Sequence, residues 1–347
     1  MSKIVKLKDV AKLAGVGIGT ASRVLNEHPN VKDSTRRKVL DAMRELNYTP
    51  NNIARSLKSK STRTIGVILI ELSSAFYSDI VEGIEDTANE YGYSIFLNNT
   101  RKYEDRILES IQMMCEKKVD GIIYLGGTLT EEIQNKLLDA NIPVVLISTG
   151  TNFKRKDTTE VFSSINIDNE TAAFEAVTYL CELKHKKIAM LTINKDDKNS
   201  AMPRIKGYRR ALEKNGIEFN DDLVFECEQS YQSGYETMQK ILKLEERPTA
   251  IFSYSDLIAL GASRAILQSG LRIPEDISIV GFDDIETTKY FYPAITTMRQ
   301  PRYVMGSRGM ELLIREINDK EGFKQHVILP VTLQIRESTS QKIKDLI

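Results

Sequence analysis

Residues 7–26 read LKDVAKLAGVGIGTASRVLN, and their spacing predicts two short helices joined by a tight turn. Leu7, Val10 and Ala14 recur at helical spacing, and Gly15 supplies the positive φ that lets the chain leave the first helix. Val24 returns the second helix to a small core. Two helices joined in this way form a helix-turn-helix, whose second helix enters the major groove of DNA. The stretch therefore predicts a DNA-binding head.

Charge is divided unevenly along the chain. Residues 1–64 contain 14 Lys and Arg against 5 Asp and Glu, whereas the remaining residues contain 34 against 43. The resulting net charges of +9 and −9 cancel in the neutral total of the whole chain. A run of charge is more often an ordinary solvated surface, but this basic excess coincides with the two-helix motif. We therefore expect it to attract the phosphates of nucleic acid.

The residues after the motif predict a third helix, followed by a short helix and a linker. The third helix starts near Asp33 and Ser34 as its cap. Its apolar face consists of Val39, Leu40, Met43 and Leu46. Residues 47–50 end this helix, and a short helix over residues 51–57 leads into a polar, basic linker that reaches residue 63. So short a helix is marginal alone and needs DNA or a partner helix to hold it.

Beyond residue 64, strand-like apolar runs alternate with amphipathic helices. The predicted strands cover residues 65–70, 94–98, 121–125, 144–147, 188–193, 223–226, 250–254 and 278–282. Helical patterns between them include residues 77–91, 170–183, 204–215 and 257–269. Such alternation is typical of an α/β fold with parallel sheets covered on both faces. Because the polar stretch 149–160 separates the fourth and fifth strands, we expect two lobes with a ligand cleft between them.

Few residues suit metal or nucleophilic chemistry. Cys115, Cys181 and Cys227 are an odd number without CxxC spacing and fall in apolar patterns, so we expect buried reduced thiols. The three histidines are scattered. No apolar run approaches membrane-spanning length, and residues 1–7 lack the apolar core of a secretion signal. We therefore expect a cytoplasmic protein that is not an enzyme and has no metal, cofactor or membrane partner.

Motifs along almost the whole chain resemble the LacI and GalR family of bacterial transcription regulators. They are VAKLAGV at 10–16, TASRVLN at 20–26, YTPN at 48–51, ARSL at 54–57, RIKGY at 204–208, PEDISIVGFDD at 274–284 and PAITT at 293–297. Within the family, the body is most similar to the catabolite-control regulators. The motifs stand in the family's order, which makes the resemblance specific.

The resemblance implies a three-part organisation. A three-helix helix-turn-helix head covers residues 1–50, and a hinge helix with its linker covers residues 51–63. A two-lobed body like the periplasmic binding proteins, built of parallel sheets, covers residues 64–340 and serves effector binding and dimerisation. The implied N-lobe comprises about residues 64–161 and 292–323, and the implied C-lobe about residues 162–291 and 324–340.

The resemblance also implies three sets of DNA-binding residues. The major-groove face of the second helix carries Ile18, Gly19, Thr20, Ser22 and Arg23. Phosphate contacts are implied for Asn26, Asn30, Lys32, Ser34 and Thr35. The hinge contributes Asn51, Ala54, Arg55 and Leu57, and Leu57 from each of two subunits wedges between base pairs in the minor groove. Because this wedge needs a paired copy, the resemblance implies a homodimer on a pseudo-palindromic double-stranded DNA operator.

Alternatives remain open for two of these side chains. Arg23 either donates two hydrogen bonds to a guanine or serves as a phosphate contact or a helix-end charge. Leu57 either enters the minor groove or packs against its own domain.

The resemblance implies two different inputs. Sugar-responsive members of the family bind effector hydroxyls at the positions of Arg204 and Asp283. Further members of that site, for a sugar or sugar phosphate, are Phe76, Tyr77, Ser255 and Gln300, although many sugar-binding members carry an asparagine in place of Ser255. Alternatively, Arg204 and Asp283 form a structural pair across the cleft.

The catabolite-control resemblance implies a second input, the docking of a serine-phosphorylated phosphocarrier protein. The matching residues are Asp86, Tyr91, Tyr303 and Arg315. Val304 and Glu311 depart from the docking pattern, and Glu311 places an acid opposite the carrier phosphate. Arg315 is alternatively a solvated helix charge.

The favoured hypothesis is an allosteric DNA-binding regulator, a repressor or global regulator of carbon-utilisation genes. A rival hypothesis is a small-molecule receptor or enzyme on the α/β body, with the basic head as a nonspecific surface. No phosphate-cradling GxxxxGK, GxGxxG or nucleophile elbow in the sequence supports that rival.

Overall fold

The computed structural model describes residues 5–25, 28–48, 61–101, 103–151, 161–319 and 322–342. The chain forms two compact units, Met1–Thr62 and Arg63–Ile347. The expected contacts of Asn26, Asn51, Ala54, Arg55 and Leu57 lie outside the described residues.

Three helices form the first unit: α1 (Leu7–Leu13), α2 (Ile18–Leu25) and α3 (Asp33–Glu45). Gly15 leaves α1 with a φ of 66°, as the sequence predicts. The shared core is small and consists of Val10, Ala11, Ala14, Ala21, Val24, Val39 and Ala42. The predicted helix-turn-helix and third helix are therefore confirmed.

Two details of the third helix were predicted wrongly. Lys32 occupies the cap position, so Asp33 and Ser34 lie inside the first turn instead of capping it. Leu40 is 41% exposed, because only Val39 and Ala42 of α3 are fully covered by so small a core.

The second unit contains two six-stranded sheets. Strands of the first sheet, in spatial order, are β13 (His326–Leu329), β7 (Ser163–Ile167), β5 (Val144–Ile147), β3 (Gly121–Leu125), β1 (Thr64–Leu69) and β2 (Ser94–Asn99). All neighbours in it are parallel. Two further short strands, β4 (Thr128–Leu129) and β6 (Gly150–Thr151), pair in parallel with each other. They follow β3 and β5, respectively, in the chain.

The second sheet has the order β14 (Thr332–Gln334), β12 (Thr296–Arg299), β11 (Ser278–Asp283), β10 (Ala250–Ser253), β8 (Ile188–Thr192) and β9 (Val224–Glu226). Only β14 is antiparallel to its neighbour. Almost every residue of the central strands is buried, as expected where helices cover both faces of a sheet.

Helices cover these sheets and fix the two lobes. Those packed on the first sheet are α4 (Ala75–Glu90), α5 (Glu104–Lys117), α6 (Glu131–Asp139) and α12 (Arg302–Asn318). Those of the second lobe are α7 (Asn169–Glu182), α8 (Ala201–Lys214), α9 (Tyr231–Ile241), α10 (Asp256–Gln268) and the short α11 (Thr287–Tyr290). The expected α/β body with parallel sheets is therefore confirmed.

The chain passes between the lobes at other points than the sequence predicts. The strands at residues 163–167 and 326–329 belong to the first sheet, not to the C-lobe, and the strand at residues 296–299 belongs to the second sheet, not to the N-lobe. None of these strands carries a long apolar run: residues 163–167 alternate in burial, residues 296–299 read TTMR, and residues 326–329 form a short strand at the edge of the first sheet. The chain crosses after Ile167, after Arg299 and between Leu329 and Thr332.

Helices α4 and α12 pack closely because glycines face each other's backbone. A Cβ on Gly306 would lie 2.0 Å from the Ile80 carbonyl oxygen, and one on Gly83 would lie 2.1 Å from the Tyr303 carbonyl oxygen. The two helices therefore approach to backbone contact.

Gly306→Ala is expected to lower the free energy of unfolding by about 2 kcal/mol, measured by denaturant titration. Overpacking a core costs about 1–3 kcal/mol, and we expect a cost near the upper end here. Alanine has a better helix propensity than glycine, which offsets about 1 kcal/mol of that cost. The cost is high because the added Cβ would clash with the backbone carbonyl of Ile80, which cannot move aside as a flexible side chain could. Val304→Ala on the exposed side of α12 is the control and should stay within about 0.5 kcal/mol. Equal stability of Gly306→Ala and the unmodified protein would contradict the close packing.

Candidate DNA interface and interlobe cleft

The outer face of α2 is available for a DNA groove. Ala21 and Val24 are buried against α1 and α3, which leaves Ile18, Gly19 and Arg23 exposed. Ile18 is 57% exposed, an unusual position for an isoleucine in a folded head. An exposed apolar side chain suits a thymine methyl, and an exposed guanidinium suits a guanine edge.

The other described residues that were predicted to contact DNA lie on α2 and at the start of α3. Thr20 and Ser22 are half-buried on α2, while Asn30, Lys32 and Ser34 are exposed before and within the first turn of α3. Thr35 is half-buried. The structure therefore places these residues on the same small unit as α2.

A cavity of about 370 Å³ lies between the two lobes. It is in the lower part of the range of about 300–1,000 Å³ that is usual for small-molecule sites. From the first lobe and its connection it is lined by Ile70, Phe76, Tyr77, Glu104, Ile107, Tyr124, Gly127, Thr128, Thr130, Ile133, Ser148, Asn166, Ile167 and Gln300. From the second lobe it is lined by Asn169, Ile193, Asn194, Asp197, Asn199, Ser200, Arg204, Gln229, Tyr254 and Asp283.

Five of the six expected effector residues line this cavity, and Ser255 does not. Ser255 is fully buried, and its hydroxyl accepts a hydrogen bond from the Ile258 amide at 3.5 Å, as the cap of α10. Serine directly before a helix is a preferred N-cap, and that role accounts for this position. On the other lobe, Phe76 and Tyr77 meet edge to face, with ring centroids 5.0 Å apart.

Arg204 is held rigidly in the wall of the cavity. Its Nε donates to Asn169 Oδ1 at 2.9 Å, and its Nη1 donates to the Tyr254 carbonyl oxygen. The guanidinium carbon lies 3.6 Å from the centroid of the Phe282 ring and 4.4 Å from that of Tyr254. With only 4% of its surface exposed, Arg204 presents a preorganised planar donor to the cavity.

Asp283 presents a carboxylate at the end of β11. Gln300 Nε2 donates to its Oδ1 at 2.7 Å, and Arg302 Nη1 donates to its carbonyl oxygen. Burial raises the pKa of Asp283 above its usual value, while the charges of Arg204 and Arg302 and the hydrogen bond from Gln300 oppose that rise.

The turn that carries Asp283 has a strained backbone, and hydrogen bonds from buried neighbouring side chains hold it in place. Asp283 and Asp284 have φ values of 116° and 55°, in the region that L-residues rarely adopt. The fully buried Asp256 accepts the Ile285 amide at 2.9 Å and the Thr297 hydroxyl at 2.6 Å, and Thr297 in turn accepts the Asp284 amide at 3.3 Å. This network accounts for a backbone that would otherwise relax.

Asp284 is anchored away from the cavity. Its carboxylate pairs with Arg299 at 2.6 Å and with Arg336 at its other oxygen. Of the two adjacent aspartates, therefore, only Asp283 faces the ligand space.

Most polar lining residues were not predicted from the sequence. Four of them follow β8 in a polar run: Asn194, Asp197, Asn199 and Ser200. Polar residues directly after the carboxyl end of a parallel strand were the available signal, because ligands bind at that end. Asn169 was missed because β7, the strand before it, was not assigned to the first lobe.

Asn199 connects the two lobes at the mouth of the cleft. Its side-chain amide donates to the carbonyl oxygens of Ser148 at 3.3 Å and Gly127 at 3.5 Å, both in the first lobe. A Cβ on Gly150 would lie 2.4 Å from the Asn199 Cβ, so the loop packs directly on β6. The loop of residues 194–200 therefore closes one side of the cavity.

The expected carrier-docking residues lie on α4 and α12 of the first lobe. The Tyr303 hydroxyl donates to Asp86 Oδ2 at 3.0 Å, and Tyr91 at the end of α4 is 51% exposed. Arg315 is exposed on α12, twelve residues beyond Tyr303, which is about 18 Å along the helix. The structure therefore joins Asp86 with Tyr303 but places Arg315 apart from them. Glu311 pairs with Arg308 at 3.0 Å.

Other reactive chemistry is not assembled in the described parts of the chain. Burial raises the pKa of Cys181 to about 11 and that of Cys227 to about 12, which keeps both thiols protonated near neutral pH. No group of three or more His, Cys, Asp and Glu side chains within the described ranges is arranged to hold a metal ion. Among the described helices, none combines the length and apolar character that crossing a bilayer requires.

The fold and these two sites define a class of protein, in which a helix-turn-helix head is combined with a two-lobed body that has a ligand-sized cleft. Comparison with known families agrees. Residues 6–51 match the model of "Bacterial regulatory proteins, lacI family", and residues 62–337 match "Periplasmic binding proteins and sugar binding domain of LacI family". The chain belongs to the LacI family of bacterial transcription regulators.

Individual relatives cover nearly the full length. The chain is 39% identical to catabolite control protein A of Priestia megaterium, over 96% of this chain and 99% of that protein. The crystal structure of the lac repressor dimer bound to operator and the anti-inducer ONPF has a TM-score of 0.86 and 31% identity, over 97% of this chain and 100% of that one. A complex of the regulator CelR with cellobiose has a TM-score of 0.74 and 30% identity, over 96% and 99%.

These matches confirm the predicted family and the similarity to catabolite control protein A. They make the chain a DNA-binding transcription regulator and not an enzyme, so the rival enzyme hypothesis is wrong.

Proposed function

We propose that this protein represses carbon-utilisation genes as a homodimer on a pseudo-palindromic operator, and that a sugar-type ligand in the interlobe cleft controls its affinity for DNA. The observation that carries the proposal is the pairing of an exposed α2 face, on a basic head, with a polar and aromatic cavity in the body. The α2 face reads DNA, and the cavity senses a small molecule.

Residues on the α2 face divide the work of DNA recognition. Arg23 is exposed and donates to a guanine edge, Ile18 contacts a thymine methyl, and Gly19 permits close approach of the backbone. Asn30, Lys32 and Ser34 contact phosphates, which fix the register without reading bases. Residues 51–57 form the paired hinge helices in the minor groove, with Leu57 as the wedge.

The cavity is suited to a carbohydrate. Its walls combine aromatic faces, which pack on the C–H surface of a sugar, with convergent amides and carboxylates that bond hydroxyl groups. Two structural relatives support this class of ligand, since one is a complex with cellobiose and another is described with bound ribose.

Ligand binding at the cleft changes operator affinity by shifting the angle between the lobes. Arg204 and Asp283 belong to the second lobe, and Phe76 and Tyr77 to the first, so a ligand that touches all four favours the closed arrangement. That change orders or melts the paired hinge helices. A coupling of about 1–3 kcal/mol corresponds to a change of roughly 5- to 150-fold in operator affinity.

Arg23→Ala is expected to weaken binding to the preferred operator by about 1–3 kcal/mol and to relax preference at one base pair in each half-site. The reason is the loss of a bidentate guanine contact. The measurement is fluorescence anisotropy on the preferred operator and on its single-base variants, with fragments first selected from genomic DNA.

Arg23→Lys is the matched control, because it keeps the charge but lacks the planar fork that fits guanine. Lysine should preserve nonspecific binding and lose the base preference. Uniform weakening of Arg23→Ala on every sequence, with full rescue by lysine, would show that Arg23 contacts a phosphate.

A second input, docking of a serine-phosphorylated phosphocarrier protein on α4 and α12, has a specific observation in its favour. Asp86 and Tyr303 are already joined by a hydrogen bond on an exposed face, beside the exposed Tyr91. Glu311 would repel the carrier phosphate, although its ion pair with Arg308 offsets part of that charge.

Glu311→Arg is expected to strengthen carrier binding two- to fivefold and Arg315→Glu to weaken it by a similar factor, the range of about 0.5–1 kcal/mol that exposed charges contribute. Isothermal calorimetry with the phosphorylated carrier measures both. Arg204→Ala in the cleft is the control and should leave docking unchanged. No detectable heat with the unmodified protein would end the docking hypothesis and leave the cleft as the sensor.

A further inference from the structure

We propose that the interlobe cleft takes an uncharged polyhydroxylated ligand and discriminates against its phosphorylated form. This inference rests on the proposed carbohydrate-sensing function and specifies the chemical class of the effector. A protein binds phosphate with basic side chains or with the N–H groups at helix N-termini. In this cleft the one lining base and the N-termini of α7 and α8 are already engaged by the protein's own groups.

The ionisable groups around the cavity are mostly acidic. Among the described lining residues, Asp197, Asp283 and Glu104 are acids that face a single base, Arg204. A phosphate carrying nearly two negative charges would enter a space whose own balance is negative. In a partly enclosed cleft, opposition of like charges is stronger than on an open surface.

The single base is not placed as a phosphate clamp. Arg204 donates its Nε hydrogen to Asn169 and one Nη1 hydrogen to the Tyr254 carbonyl oxygen. Its guanidinium carbon also lies within 4.4 Å of the centroids of both the Phe282 and the Tyr254 rings. The donors that remain match a hydroxyl or a ring oxygen of a ligand that also bonds Asp283.

The N-terminus of α8, which reaches the cavity at Ser200, is capped by an acid of the chain itself. Asp197 Oδ2 accepts the amides of Ser200 and Ala201, each at 3.1 Å, and the Ser200 hydroxyl at 2.7 Å. The Met202 amide donates to the Asp197 carbonyl oxygen at 2.9 Å. The site where a helix would attract a phosphate is therefore already filled by a carboxylate.

The N-terminus of α7, whose first residue Asn169 lines the cavity, is capped in the same way. Asp168 accepts the Thr171 amide at 2.9 Å and the Thr171 hydroxyl at 2.7 Å. The bond from the Thr171 amide holds the pKa of Asp168 below its usual value, so the carboxylate stays charged. These two N-termini of the second lobe thus present negative charge instead of free N–H groups.

The lysines in the loop of residues 194–200 do not offset the negative charge around the cavity. Lys195 pairs with Asp221 at 3.2 Å, and neither it nor Lys198 is among the lining residues. What the cavity does offer is a set of neutral hydrogen-bonding groups: Thr128, Thr130, Ser148, Asn166, Asn169, Asn194, Asn199, Ser200, Gln229 and Gln300. Such a set matches ligand hydroxyls.

The test compares sugars with their own phosphates on the full-length protein, with one cationic and one larger neutral sugar as controls for charge and size. Calorimetry is carried out with glucose, glucosamine, glucose 6-phosphate and the larger neutral sugar cellobiose, and with ribose against ribose 5-phosphate. At least one neutral sugar should bind tenfold or more tightly than its own phosphate. If cellobiose binds, the size of a sugar phosphate is not what excludes it from the cleft. If the cationic glucosamine also binds, the negative charge of the phosphate is what excludes it.

Asp197→Asn removes one charge and keeps a side chain that caps helices well. It should shift the ratio of phosphorylated to neutral affinity by roughly three- to tenfold in favour of the phosphate. Asp196→Asn is the matched control, because Asp196 is the exposed neighbour that does not line the cavity, and the ratio should not change.

The outcomes separate this inference from the proposed function. A sugar phosphate that binds as tightly as its neutral parent overturns the discrimination while leaving carbohydrate sensing intact. A ratio that responds equally to both asparagine variants overturns the role given to Asp197. If no neutral sugar binds, both the inference and the proposed carbohydrate input are wrong.

Discussion

The chain passes between the two lobes three times, and the behaviour of the body depends on this constraint. Because each sheet includes a strand that returns from the other lobe, the lobes cannot separate and can only rotate about three short connections. Residues at two of those connections also line the cleft, namely Asn169 after β7 and Gln300 after β12. A ligand of the proposed kind would therefore contact two of the connections about which the lobes rotate.

The parts predicted from the sequence are those that local pattern determines. Helical spacing around Gly15 placed the helix-turn-helix, and continuous apolar runs located the central strands of both sheets. Arg204 and Asp283 were identified through motifs, and both line the cleft. Each of these features is encoded within a short segment, so no knowledge of distant contacts was needed.

The parts missed are those that depend on residues far apart in the chain. The strand at residues 163–167 has alternating burial, and its place in the first sheet follows from pairing with residues 144–147 and 326–329. The buried Asp256 carries no local sign of its role, which is to hold the amide of Ile285 and the hydroxyl of Thr297 across the lobe. Ser255 was assigned to the ligand by family position, whereas its local place before α10 makes it a cap.

Coupling between cleft and operator is the central claim, and one linked titration tests it. Operator affinity is measured by anisotropy with and without a saturating sugar that calorimetry has shown to bind, and sugar affinity is then measured with and without operator. A change of roughly 5- to 150-fold in the first quantity, matched by the same factor in the second, is predicted because linkage is reciprocal. A sugar that fills the cleft while operator affinity stays unchanged would contradict the account.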